Sequence, residues 1–140
     1  MGIGYFNQEG YADPVPYQAI NAMELKKSGF RPVVYICSPY AGDIDGNTEK
    51  ARKYSRFAVH NGVIPIAPHL LFPQFMEEET ERDLAMFMNM VLITKCRELW
   101  VFGSHVSEGM QAEIDKAEQR NMKIRYFTEE MEETDAINNL

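Results

Sequence analysis

The sequence predicts an α/β fold, in which a parallel sheet is covered on both faces by helices. Three observations carry this. Strand-like and helix-like runs alternate as β-α-β-α-β-α-β from Pro32 onward, the order expected of strands joined by helical crossovers. The runs Pro32–Cys37 and Leu99–Phe102 are continuously apolar rather than alternating, as strands buried on both faces must be. The run Val63–Ala67 carries an internal proline, Pro65; lacking an N–H, it belongs at a sheet edge. With right-handed crossovers, these features give a flavodoxin- or Rossmann-like three-layer sandwich of strand order 2-1-3-4, with room for a fifth edge element.

Each element has a local reason. Residues 1–12 are polar and read as a tail. Asp13-Pro14 reads as an N-cap followed by proline at the first helical position, opening a helix to about Lys27 that Gly29 closes. Residues 1–30 are therefore set apart as a tail-and-helix appendage to a domain spanning 31–140. The first strand ends in the loop Ser38-Pro39-Tyr40-Ala41-Gly42-Asp43. A helix then runs from about Asn47 to His60 with Ala51, Tyr54 and Ala58 on one face, and Asn61-Gly62 caps its end. After the second strand, Pro68-His69 and Pro73 punctuate a long loop. A third helix runs from about Glu78 to Thr94, and its second half is apolar nearly all round, so it needs cover beyond the sheet. Strand Leu99–Phe102, a helix over 108–120 and strand Met122–Phe127 follow. Glu129–Leu140 reads as a short helix or a frayed tail.

At 140 residues the chain predicts one domain. A net charge of −7 argues against nucleic acid or an anionic membrane as the main partner. A small molecule or another protein fits better. No run is apolar enough to span a bilayer and the N-terminus lacks a leader pattern, so a cytoplasmic protein is expected. Cys37 and Cys96 lie far apart without Cys-x-x-Cys spacing and read as free, mostly buried thiols rather than a disulfide. His60, His69 and His105 lack ligand spacing, so neither a metal nor any other cofactor is expected.

The most informative segment is Ser107-Glu108-Gly109-Met110-Gln111-Ala112-Glu113. It opens a helix directly after a buried strand, so Glu113 lies just past the strand's C-terminal end. Gly109 precedes it by one helical turn and lets a ligand approach the backbone. Strand order 2-1-3-4 reverses its winding between the first and third strands. The ligand crevice is expected there, between the Ser38–Asp43 and Gly103–Gly109 loops.

Three stretches together resemble the nucleoside 2-deoxyribosyltransferase-like superfamily, most closely a small bacterial and phage branch of it. They are Val34-Tyr35-Ile36-Cys37-Ser38-Pro39-Tyr40, Pro65-Ile66-Ala67-Pro68-His69, and Cys96 through Ala117 with its Ser-x-Gly-x-x-x-Glu core. The resemblance covers roughly residues 32–127. It implies N-glycosidic bond cleavage or base transfer on a (deoxy)ribonucleoside or nucleotide, with Glu113 as nucleophile, Ser107 and Gly109 shaping the pocket, and Tyr35 beside the ligand. It also implies a homo-oligomer whose sites a neighbour completes. The family's acid, which protonates or orients the base, falls on Asn89. Here the sequence departs from the pattern, because an amide is no general acid at neutral pH. Pro39, Tyr40 and Ala41 stand where the phosphate-accepting branch has Ser and Arg, which favours an uncharged nucleoside.

Each candidate has a plainer reading. Glu113 can be a surface carboxylate paired with Lys116 or Lys123, worth a few tenths of a kcal/mol. Asn89 can satisfy a backbone group. His69 can act on a leaving base as a group that titrates near neutrality, or simply pack and cap its loop. Tyr40, Trp100 and Phe102 can wall a base by stacking, although strand alternation makes Trp100 the better core residue. The run Glu77–Asp83 reads as a solvated helix start, with Asp83 the nearest substitute for the missing acid. Arg82 and Arg52-Lys53 are weak anion candidates. Substrate contacts are expected from Ser38, Pro39, Tyr40, His69, Gly103, Ser107, Gly109 and Met110. Two other classes of function stay open: a non-catalytic module binding a nucleotide-derived metabolite, which Asn89 favours, and a protein-interaction domain built on the Met-rich third helix.

Overall fold

The computed structural model describes residues 29–135. The chain divides into two units between Arg31 and Pro32, and every element described here lies in the second. The expected tail and the helix from Asp13 to Lys27 lie outside the described residues.

Five strands form one sheet: β1 (Val33–Cys37), β2 (Ile64–Ile66), β3 (Glu98–Phe102), β4 (Lys123–Phe127) and β5 (Glu133–Thr134), in the order β2-β1-β3-β4-β5. The first four are parallel. Tyr35 lies opposite Ile66 on one side and Leu99 on the other, and Trp100 opposite Arg125. Proline-bearing β2 is an edge strand, as its missing donor requires. The segment expected to be a helix or a frayed tail instead supplies β5, antiparallel to β4. Its short strand is pinned by Arg125, whose guanidinium donates two hydrogen bonds to Glu133 at 2.7 and 2.8 Å.

Three helices join the strands: α1 (Ile44–His60), α2 (Glu78–Ile93) and α3 (Glu108–Gln119). Helix α1 starts at Ile44, three residues before the expected Asn47. The Asp43 side chain accepts a hydrogen bond from the Gly46 N–H at 3.1 Å and caps it. At its far end Asn61 is the C-cap and Gly62 takes φ +84°, a conformation that favours glycine. The loop after β2 is wound into two short 3₁₀ turns, Pro68–Leu70 and Phe72–Gln74.

Strand alternation sorts the core into two layers. One face of the sheet presents Val34, Ile36, Trp100, Phe102 and Phe127 to Tyr54 and Ala58 of α1. The other presents Tyr35, Cys37, Leu99 and Val101 to Ile93 of α2 and to Met110, Ile114 and Ala117 of α3. The first connection moves leftward from β1 with its helix on one face. The next two move rightward with theirs on the opposite face, as a constant crossover hand demands.

Trp100 and Phe102 therefore cannot wall a base at the other face. They are core: Phe102 stacks on Tyr54 at 4.3 Å and on Phe127 at 4.9 Å, and the Trp100 indole N–H donates to Glu98 at 2.8 Å. Trp100→Ala is expected to cost about 3–5 kcal/mol, the range for an emptied aromatic site, as a drop in the urea midpoint followed by circular dichroism. On the outer side of α2, Leu84, Phe87 and Val91 are exposed, Phe87 at 65%. No helix among the described residues is long and apolar enough to cross a membrane.

Candidate functional site

A cavity of about 180 Å³ opens where the winding reverses. Its walls come from the loop after β1, the N-terminal turn of α3 and one face of α2. This is the crevice past the carboxyl ends of adjacent strands that open α/β sheets use for ligands. Ser107 caps α3 by accepting the Met110 N–H at 3.2 Å, which sets the helix at the cavity edge. An added Cβ at Gly109 would meet the Met86 methyl at 3.4 Å. That is an ordinary van der Waals contact, so the spacing of α2 and α3 does not itself require a glycine there.

Glu113 faces the cavity and is only 3% exposed. It pairs with neither Lys116 nor Lys123. The Tyr35 hydroxyl donates to its Oε2 at 2.7 Å, and Asn89 Nδ2 donates to the same oxygen at 3.3 Å. Tyr35 reaches it because β1 points residues 35 and 37 to the α2–α3 face, which also brings the Cys37 thiol alongside. The Cys37 thiol points toward the Met110 carbonyl, at 3.8 Å. Burial raises the Glu113 carboxyl from its ordinary 4.5 to about 7, while hydrogen bonds from Tyr35, Cys37 and Asn89 pull the other way. Burial first, and then the adjacent Glu113 charge, hold the Tyr35 hydroxyl and the Cys37 thiol well above their ordinary ranges. Both remain protonated donors at neutral pH. A carboxyl poised near 7 in a crevice can exchange a proton, or act as an anion, close to neutral pH.

Removing the Tyr35 hydroxyl tests this balance. A hydrogen bond to a charged group is worth about 1.5–3 kcal/mol, or about one to two pKa units. Tyr35→Phe is expected to move the Glu113 carboxyl above 7 by about that much. Carboxyl-carbon NMR titration of the labelled protein reads it. An unchanged titration would show that the hydroxyl does not bear on the carboxylate.

The remaining candidates divide. Ser38, Pro39, Tyr40, His69, Ser107, Gly109 and Met110 all line the cavity. Gly103 does not; it is buried at φ +116°, and its N–H bonds the Phe127 carbonyl at 3.0 Å. It turns the chain out of β3. His69 packs on the Tyr40 ring with centroids 4.9 Å apart. Burial lowers its imidazole from 6.5 to about 4, so it does not titrate near neutrality as expected. Asp83 is exposed and outside the cavity, so it cannot replace the missing acid. The acidic run is more than a solvated helix start, because Glu77, Glu78 and Glu81 line the cavity mouth. Glu81 accepts the Glu77 N–H at 2.8 Å and so closes the first turn of α2. Counting back from Asn89 by helical spacing reaches 85, 82, 81 and 78, a signal already present in the sequence. Among the described residues no three His, Cys, Asp or Glu side chains come together in a group able to hold a metal. Cys37 and Cys96 are free thiols.

Residues 32–127 match the family described as a domain of unknown function, DUF7768. The chain belongs to that family. No curated protein matches the sequence. The matched region of this DUF7768 member runs from the residue before β1 to the end of β4, and so includes Tyr35, Asn89 and Glu113.

Proposed function

We propose that the protein cleaves or transfers the N-glycosidic bond of a (deoxy)ribonucleoside or nucleotide through Glu113, as the resemblance to nucleoside 2-deoxyribosyltransferases implies. The observation that carries this reading is a carboxylate buried at the winding reversal, facing a cavity and held by a tyrosine hydroxyl at 2.7 Å. Tyr35 and Asn89 both address Oε2, which orients the carboxylate against the cavity. Ionised Glu113 attacks the anomeric carbon, the bond to the base nitrogen breaks, and a glycosyl ester forms. Water or a second base then resolves it with net retention. Because the nucleophile is the anion, turnover rises with pH through about 7.

Asn89 favours a second reading, in which the same pocket binds a nucleotide-derived metabolite without turning it over. One experiment separates the two. Base release from a nucleoside panel is followed for the wild type and for Glu113→Ala, alongside thermal shift with each compound. Release by the wild type alone supports the enzyme. Stabilisation without release supports the binding module. Equal release by both proteins removes Glu113 from the chemistry. The open apolar face of α2 supports a homo-oligomer, which light scattering reads directly. The two free thiols support a cytoplasmic site of action.

A further inference from the structure

Two buried atoms in the cavity wall lack partners: Asn89 Oδ1 and Ser38 Oγ, in residues 7% and 2% exposed. Buried polar atoms are nearly always satisfied, and these two are placed to meet polar groups of a ligand. Asn89 has its Nδ2 committed to Glu113, so its remaining oxygen can only accept. It has no proton to give a departing base. His69 is neutral at pH 7 and has none to spare either. A neutral nucleoside base leaves as an unstable anion unless something protonates it, and such general acid assistance is worth about 10²–10⁴-fold.

The mouth of the cavity adds a second constraint. Glu77, Glu78, Glu81 and Glu108 line it, and Arg82 is the single basic side chain among the lining residues described besides His69. Arg82 is already held by Glu78 at 3.2 Å. A phosphate would approach carboxylates, whereas a cation would be drawn in.

Resting on the glycosyl-transfer reading above, we infer that the preferred substrate is an N-glycoside whose base already carries the positive charge and whose sugar carries no phosphate, such as a pyridinium riboside or an N7-alkylated purine nucleoside. The step balances without an acid. A Glu113 carboxylate oxygen forms a bond to the anomeric carbon, and the C–N bond breaks. Its electron pair neutralises the ring nitrogen, and the base leaves as a neutral molecule. Water then opens the ester at the anomeric carbon. It leaves its hydroxyl on the sugar and its proton to solvent, and Glu113 is again a carboxylate.

The test compares matched probes on the full chain at pH 7.5 and low salt. They are nicotinamide riboside, its 5′-monophosphate and inosine, then 7-methylguanosine against guanosine. The spontaneous rate of each probe is subtracted, because cationic nucleosides are intrinsically more labile. The kcat/KM of each cationic nucleoside, with the spontaneous release subtracted, is expected to exceed that of its neutral counterpart by about 100-fold or more, and nicotinamide riboside to exceed its phosphate. In the double variant E78Q/E108Q, KM should rise for the riboside and fall for the phosphate; KM values that do not move would overturn the exclusion of phosphate. Neutral and cationic nucleosides turned over within about tenfold of each other would overturn the inference and leave glycosyl transfer by Glu113 standing. No release from any probe, with E113A indistinguishable from the wild type, would overturn both.

Discussion

Glu113→Gln is expected to be more stable than the wild type at pH 8 and equally stable at pH 4. Folding raises the carboxyl from 4.5 to about 7, chiefly by burial. Below pH 4.5 the group is protonated in both the folded and the unfolded chain and contributes no difference. Between 4.5 and 7 the unfolded chain releases the proton while the folded chain keeps it, so wild-type stability falls as pH rises. Above 7 both forms are ionised and the full loss is in place. At roughly 1.4 kcal/mol per unit the rise corresponds to about 3 kcal/mol, or about 10 °C in Tm for a domain of this size. Glutamine has the same shape and still accepts from Tyr35, but carries no charge to desolvate. Thermal unfolding of both proteins from pH 4 to 9 gives the two curves. Curves that run parallel throughout would return Glu113 to the status of an ordinary surface carboxylate. The same variant is expected to lose glycosyl turnover entirely, since an amide is a poor nucleophile.

Asn89→Asp carries the second large effect. It sets a second carboxyl about 3.3 Å from Glu113. Two carboxylates that close cannot both ionise near neutrality, so the pair shares one proton and one of its two apparent pKa values moves well above 7. That retained proton is the acid the wild type lacks. Turnover of inosine and guanosine is expected to rise by about 10²–10⁴-fold, while turnover of the cationic nucleosides changes little. The preference for a charged base therefore shrinks. The variant should also lose stability above the raised pKa, where both groups must ionise, which pH-dependent unfolding shows. Neutral nucleosides that gain nothing in a folded N89D protein would mean that protonation of the base does not limit the reaction.

Much of this architecture was legible in the residues. Unbroken apolar runs marked β1 and β3 as central strands, Pro65 marked β2 as an edge, and Asn61-Gly62 marked the end of α1. These signals are local: a proline's missing donor or a glycine's positive φ acts within a few residues. The misreadings have local causes too. The Asp43 side chain reaches forward to accept the Gly46 N–H and starts α1 before its apolar stripe begins. β5 is two exposed residues held by Arg125, with no apolar pattern of its own. Gly103 sits in the right loop, but its N–H is turned toward β4 rather than the cavity.

Glu113 stood out in the sequence because a helix opens immediately after a buried strand. That it is a perturbed acid rather than a surface charge depended on contacts the sequence does not display. Tyr35 is 78 residues from Glu113 along the chain, and Asn89 is 24. They meet only because β1 and β3 lie side by side with α2 and α3 on one face. His69 shows the same division: its identity offered a group that titrates near neutrality, and its burial against Tyr40 removed that property. Chain chemistry and periodicity determined the elements, their order in the sheet and the place of the crevice. Tertiary packing alone decided which carboxylate loses its water, which donors hold it and what charge guards the entrance, because desolvation and Coulomb forces depend on distance in space and not along the chain.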